Sequence, residues 1–144
     1  MVQYLEEQGL KYPSPMLRVC RKLKIPIFYV PLDPLDGCFF RNKITKRTVI
    51  LINEKSNAKR QHFSVAHELG HVVLGHPSGA FLGMRAATQE ELYEESEANA
   101  FASELLMPKA ILKAKGPMTA KALARYCHVS ITAATIKVKQ LGWE

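Results

Sequence analysis

Between residues 57 and 74 the apolar positions recur at helical spacing: Val65, Ala66, Leu69, Val72 and Val73 fill one stripe, the signature of a helix with one buried face. Ser56 stands where an N-cap belongs, and Gly75 followed by Pro77 stops the pattern, so a helix over 57–74 is predicted. A second helix is predicted from the capping box Thr88-Gln89-Glu90-Glu91 to Leu106-Met107-Pro108, where proline ends it. Laid out at about 100° per residue, Tyr93, Ala98, Phe101 and Leu105 form its buried face, with Glu97 in the middle and Glu95 pointing away. Upstream, Ser14-Pro15 opens a helix that ends near Lys24, before Pro26. The period then changes. Residues 27–30, 37–41 and 47–52 have β-rich composition, and 42–46 form the turn of a hairpin. The expected architecture is α+β: a small antiparallel sheet of about three strands packed on the helix over 57–74, followed by a mostly helical C-terminal half. The stretch 119–142 predicts two short helices capped by Thr119 and Ser130, a helix-turn-helix-like end. Residues 77–87, with Gly79, Phe81, Gly83 and Met84, are too apolar and glycine-containing for an ordinary solvated loop and are read as a loop packed on the core, with a lid as the alternative.

Composition narrows this without deciding function. A chain of 144 residues that is 47% hydrophobic can bury one core, and no repeat divides it. One domain over 1–118 is expected, with 119–144 as an appendage packed on it. The net charge of +7 fits nucleic acid, an acidic partner or a basic surface equally well. Residues 1–10 carry Glu6 and Glu7 without an apolar core, and no run of about 18 apolar residues occurs, so neither export nor membrane insertion is expected. Three cysteines without framework spacing fit reduced thiols and a cytoplasmic protein.

The chemistry is concentrated in His67-Glu68-Leu69-Gly70-His71, an H-E-x-x-H pattern inside the predicted helix. Side chains four apart project from one helical face, so both imidazoles can chelate one divalent ion, while Glu68, rotated by about 100°, stands beside the metal as a proton acceptor. An apolar helix carrying two histidines needs polar partners for them, and a metal satisfies both. Gly70 in a helix interior costs about 1 kcal/mol relative to alanine, which points to a backbone or ligand passing close by. A catalytic zinc takes three protein ligands. No cysteine pair has ligand spacing and the remaining histidines are scattered, so the third ligand is sought among the acidic residues downstream. Glu97, centred on the predicted apolar face, is the leading candidate; Glu94 and Glu104 flank it as alternatives or supporting partners, and Glu90, Glu91 and Glu95 are assigned to solvent. Tyr93 and His76 are candidates for an additional oxyanion donor or support.

The segments Phe63-Ser64-Val65-Ala66-His67-Glu68-Leu69-Gly70-His71, Glu97-Ala98-Asn99-Ala100-Phe101-Ala102 and Leu105-Leu106-Met107-Pro108 resemble the ImmA/IrrE family of small bacterial and phage-associated metallopeptidases. The similarity extends to Ile25-Pro26-Ile27 and Val49-Ile50-Leu51-Ile52-Asn53 and so covers most of the chain. It implies a gluzincin-like centre with His67, His71 and Glu97 holding one zinc ion, or another divalent transition metal, and Glu68 as general base. It further implies a protein substrate, a helix-turn-helix repressor whose cleavage derepresses mobile-element or stress genes. One departure is visible: where better-known gluzincins place an acid four residues after the third ligand, counting from Glu97 arrives at Phe101. Two other classes compete. A DNA-binding regulator would use the C-terminal pair, but Ile131-Thr132-Ala133-Ala134-Thr135 offers no arginine, asparagine or glutamine to read bases, so only weak nucleic-acid contact is expected. The other is a metal-binding but catalytically idle scaffold.

Overall fold

The computed structural model describes residues 15–77 and 87–143. In chain order its elements are α1 (Pro15–Leu23), β1 (Ile27–Val30), β2 (Gly37–Arg41), β3 (Thr48–Asn53), α2 (Ala58–Val73), α3 (Gln89–Leu106), α4 (Lys109–Lys115), α5 (Ala120–Cys127) and α6 (Ile131–Gln140). The predicted α+β class is the observed one. The loop or lid expected over 77–87 lies almost wholly outside the described residues.

The sheet differs from the expectation in one respect: it is mixed, with order β1-β3-β2. β2 and β3 pair antiparallel through the expected turn, with Phe39 opposite Ile50, but β1 runs parallel to β3, with Ile27 also opposite Ile50. The chain leaves β1, places β2 at the far edge and returns with β3 between them. The β-branched run of β3 suits this central position, since Ile50 and Ile52 are fully buried. Asn53 anchors the segment that makes the crossing, its side-chain amide donating to Asp33 Oδ1 at 2.7 Å and to the Leu35 carbonyl at 2.9 Å.

One face of the sheet packs on α2, which α1 and α3 also contact. The core draws Cys20 from α1, Ile27, Phe39 and Ile52 from the strands, Val65 and Leu69 from α2, Ala102 and Leu106 from α3 and Leu112 from α4. Leu123 and Cys127 of α5 and Ala134 and Val138 of α6 belong to the same cluster. The N-cap of α2 is Asn57, not Ser56: Asn57 Oδ1 accepts from the Arg60 amide at 2.9 Å, while the Ser56 hydroxyl lies beside Asp36. The capping box of α3 forms as read, Thr88 Oγ1 accepting from Glu91 and the Glu91 carboxylate accepting from the Thr88 amide. Thr119 and Ser130 cap α5 and α6. Between those helices His128 adopts left-handed backbone (φ 55°), a conformation that costs a non-glycine residue about 1–2 kcal/mol. Its carbonyl accepts from Nδ1 of the buried His62 at 3.1 Å, tying the turn to α2.

Candidate metal centre

The site is built where α2 and α3 cross. Gly70 makes that crossing close: a Cβ there would lie 3.0 Å from the Phe101 ring and 3.2 Å from the Ala98 carbonyl oxygen. Beside Phe101, α3 carries the small residues Ala98 and Ala102, both fully buried, with Leu106 nearly so. Glu95 lies one turn before Ala98 on that side.

His67 and His71 project together from α2, their Nε2 atoms 3.2 Å apart. Glu95 Oε2 meets both, at 2.6 Å from His67 Nε2 and 3.3 Å from His71 Nε2. The three side chains therefore present two imidazole nitrogens and one carboxylate oxygen to a common point, all within 4.8 Å of one another. A tetrahedral ion held at about 2.0–2.1 Å separates its ligand atoms by about 3.3–3.4 Å, close to two of these three spacings. Neutral imidazole with one carboxylate is also a donor chemistry that divalent transition metals accept. The residues present fit such an ion.

The assignment of Glu95 to solvent is thus corrected, and Glu97 is not in the group. Glu97 is partly exposed, and its Oε1 accepts from His76 Nε2 at 3.0 Å. Neither Glu94 nor Glu104 is among the converging donors; Glu104 accepts from the Lys109 amide at 2.8 Å and faces Lys137 Nζ at 3.3 Å. Tyr93 is 66% exposed and outside the cleft, so it does not belong to the buried face. Counting four residues from Glu95 arrives at Asn99, which lines the cleft with the histidines.

Electrostatics follow from burial and pairing. Burial would raise the Glu95 pKa, but hydrogen bonds from His67 and His71 outweigh it and draw it down to about 2. Burial would lower that of His67; the Glu95 hydrogen bond and the Glu68 and Glu95 charges, with a smaller contribution from Asn99, raise it instead. His67 Nδ1 is buried with no hydrogen-bond partner among the described residues. Glu68 behaves differently. Burial raises its pKa against the opposing pull of His67 and His71, and its Oε2 is buried with no hydrogen-bond partner among the described residues.

These groups stand in a cleft of about 670 Å³. Leu35, Asp36 and Gly37 of the β2 approach form one wall, Phe63 and Ser64 the α2 side, and Thr132, Ala133 and Ile136 of α6 another. Gly37 comes so near Glu68 that a Cβ would lie 3.3 Å from its Cγ. The lining by α6 was not read from the sequence, where the C-terminal pair carries no signal of facing the H-E-x-x-H helix.

A family profile described as the IrrE N-terminal-like domain matches residues 20–139. The chain belongs to this metallopeptidase family. It is 30% identical over 128 residues to "Metallopeptidase ImmA" of Bacillus subtilis, an alignment covering 86% of this chain and 75% of that protein. It is 33% identical over 107 residues to "Radiation response metalloprotease IrrE" of Deinococcus radiodurans, covering 69% of this chain but 31% of that longer protein. Among solved structures, a Mycobacterium tuberculosis transcriptional regulator superposes with a TM-score of 0.58 at 15% identity, over 92% of this chain and 43% of the other. That likeness concerns the fold alone. No helix among the described residues is long and apolar enough to cross a membrane.

Proposed function

We propose that this chain is a zinc-dependent endopeptidase acting on a helix-turn-helix transcriptional repressor, with His67, His71 and Glu95 as metal ligands and Glu68 as general base. The observation that carries this reading is the convergence of the three donor atoms, in an open cleft, beside a buried carboxylate oxygen with no hydrogen-bond partner among the described residues. Zinc bound there supplies a Lewis acid that lowers the pKa of a water towards about 7 and polarises a scissile carbonyl. Glu68 takes the proton of the attacking water and returns it to the leaving amine. Its burial favours this, because a desolvated carboxylate holds a proton more readily than an exposed one. An extended segment of substrate fits against β2, an edge strand with no neighbour on its outer side among the described residues.

The choice of a repressor as substrate rests on the ImmA/IrrE resemblance; the cleft supports a protein substrate of some kind. Thr132 and Ala133 of α6, within the stretch a DNA reader would turn to bases, line the cleft together with Ile136. Substrate recognition is therefore the better use of that helix than operator binding. The test is incubation of the zinc-loaded protein with the repressor encoded beside its gene, wild type against Glu68→Gln. Wild type should cleave it, and Glu68→Gln should retain zinc while losing about 10²-fold or more of the rate. Equal cleavage by both, with zinc retained, refutes the role of Glu68. A zinc-loaded wild type inert towards the repressor and towards unfolded protein favours the idle scaffold, and a salt-resistant footprint at a defined operator favours the regulator.

A further inference from the structure

The C-terminal end of α2 folds back onto its own metal ligand. Gly75, in left-handed backbone (φ 75°), reverses the chain so that its amide donates to the Val72 carbonyl and the His76 amide to the His71 carbonyl at 2.9 Å. This is a Schellman cap, and it sets the ring of His76 edge-on against that of His71. The two Nδ1 atoms are 2.9 Å apart, and on its far side His76 Nε2 lies 3.0 Å from Glu97 Oε1. Both rings are nearly excluded from solvent.

Proton accounting gives this chain of contacts a direction. A carboxylate only accepts, so the hydrogen between His76 and Glu97 sits on His76 Nε2. A neutral His76 then offers a lone pair at Nδ1, and the hydrogen between the rings must come from His71 Nδ1. That leaves His71 Nε2 with its lone pair free, and this is the nitrogen facing His67 Nε2 and Glu95 Oε2. The opposite tautomer of His71 would aim a proton at the metal position.

We propose that His76 and Glu97 are positioning residues, a carboxylate–histidine relay that holds His71 as its Nδ1–H tautomer and fixes the ring plane in which Nε2 meets a bound zinc ion. The proposal rests on the metallopeptidase reading above. It assigns Glu97 a task without making it a ligand: its charge reaches the centre through two imidazoles and strengthens His71 as a donor.

The test measures zinc affinity by competition with a chromophoric chelator, and the histidine tautomers by nitrogen-15 NMR of the zinc-loaded protein. In wild type, His71 should be protonated at Nδ1 and metal-bound at Nε2. Losing such a partner typically weakens metal binding about 10–100-fold, the range expected for His76→Ala. Glu97→Ala should weaken it by less, because His76 still accepts from His71, and Glu97→Gln, which retains an accepting oxygen, should recover most of the loss. Glu97 is partly exposed, so its variants keep the fold even where His76→Ala does not. Wild-type affinity in both alanine variants, or His71 bound through Nδ1, overturns the relay. So does loss of zinc stoichiometry in Glu97→Ala equal to that in His67→Ala, which would make Glu97 itself a ligand. A wild type that holds no zinc is a different failure: it removes the metallopeptidase reading and the relay with it.

Discussion

Gly70→Ala tests whether the distance between α2 and α3 is what assembles the metal centre. Elsewhere in a helix the change would gain about 1 kcal/mol of helix propensity. Here the added methyl would stand 3.0 Å from Phe101 Cδ1, 3.2 Å from Phe101 Cβ and 3.2 Å from the Ala98 carbonyl oxygen. Ordinary contact begins near 3.4 Å, so all three approaches are too short. The Phe101 ring can turn aside, but the Ala98 carbonyl belongs to helical backbone and moves only with α3. Overpacking of this kind costs about 1–3 kcal/mol, which exceeds the propensity gain and leaves a net loss of about 1 kcal/mol. For a chain of this size that lowers Tm by about 3–5 °C. The more specific effect is on zinc: Glu95 sits one turn before Ala98, so a shift of α3 by a few tenths of an ångström moves its carboxylate away from the His67 and His71 nitrogens. Affinity should fall about tenfold, within the range for disturbed ligand positioning. Thermal unfolding of the metal-free protein and chelator competition measure the two effects separately. A Gly70→Ala protein more stable than wild type and equal in zinc affinity would show that the helices are not in the contact described, and the spacing account would fail.

Two further outcomes follow from the same geometry. Glu95→Ala should abolish stoichiometric zinc, read by metal analysis after dialysis, whereas Glu97→Ala should keep it; the reverse pattern would return Glu97 to the ligand position. Burial holds Cys20, Cys38 and Cys127 as thiols with pKa raised to about 11, so at pH 8 a thiol reagent should find the three reactive only after unfolding. Fast titration of any of them in the native protein would contradict that burial.

Much of the fold could be read because its signals are local. The capping box at Thr88, the glycine stop at Gly75 and the caps at Thr119 and Ser130 each describe a few adjacent residues, and each forms. The mixed sheet could not be read this way. Nothing within residues 27–30 states which neighbour β1 will take, because pairing is decided when β3 inserts between β1 and β2. The closeness of α6 to the H-E-x-x-H helix is hidden for the same reason: it follows from packing Leu123, Ala134 and Val138 into the common core.

The exchange of Glu95 for Glu97 has a more instructive cause. Treating Tyr93 as a core aromatic rotates the assigned face of α3, since at about 100° per residue Tyr93 lies some 140° from Ala98. Anchored instead on Ala98 and Ala102, the small residues that admit a close helix, the buried face includes the side on which Glu95 projects about 60° from Ala98, while Glu97 lies about 100° away on the opposite flank. Gly70 already announced that close approach, and a glycine on one helix calls for small residues on its partner, so the phase was available from the two helices read together. A large aromatic side chain is a poor phase marker at a helix end, where it can lie outside the packed region, as Tyr93 does. The requirement that a carboxylate near an apolar face find a partner held for Glu97 as well. What the requirement could not supply was the partner's identity: the imidazoles of His67 and His71 for one glutamate and, for the other, the imidazole of His76, brought into reach by a helix cap.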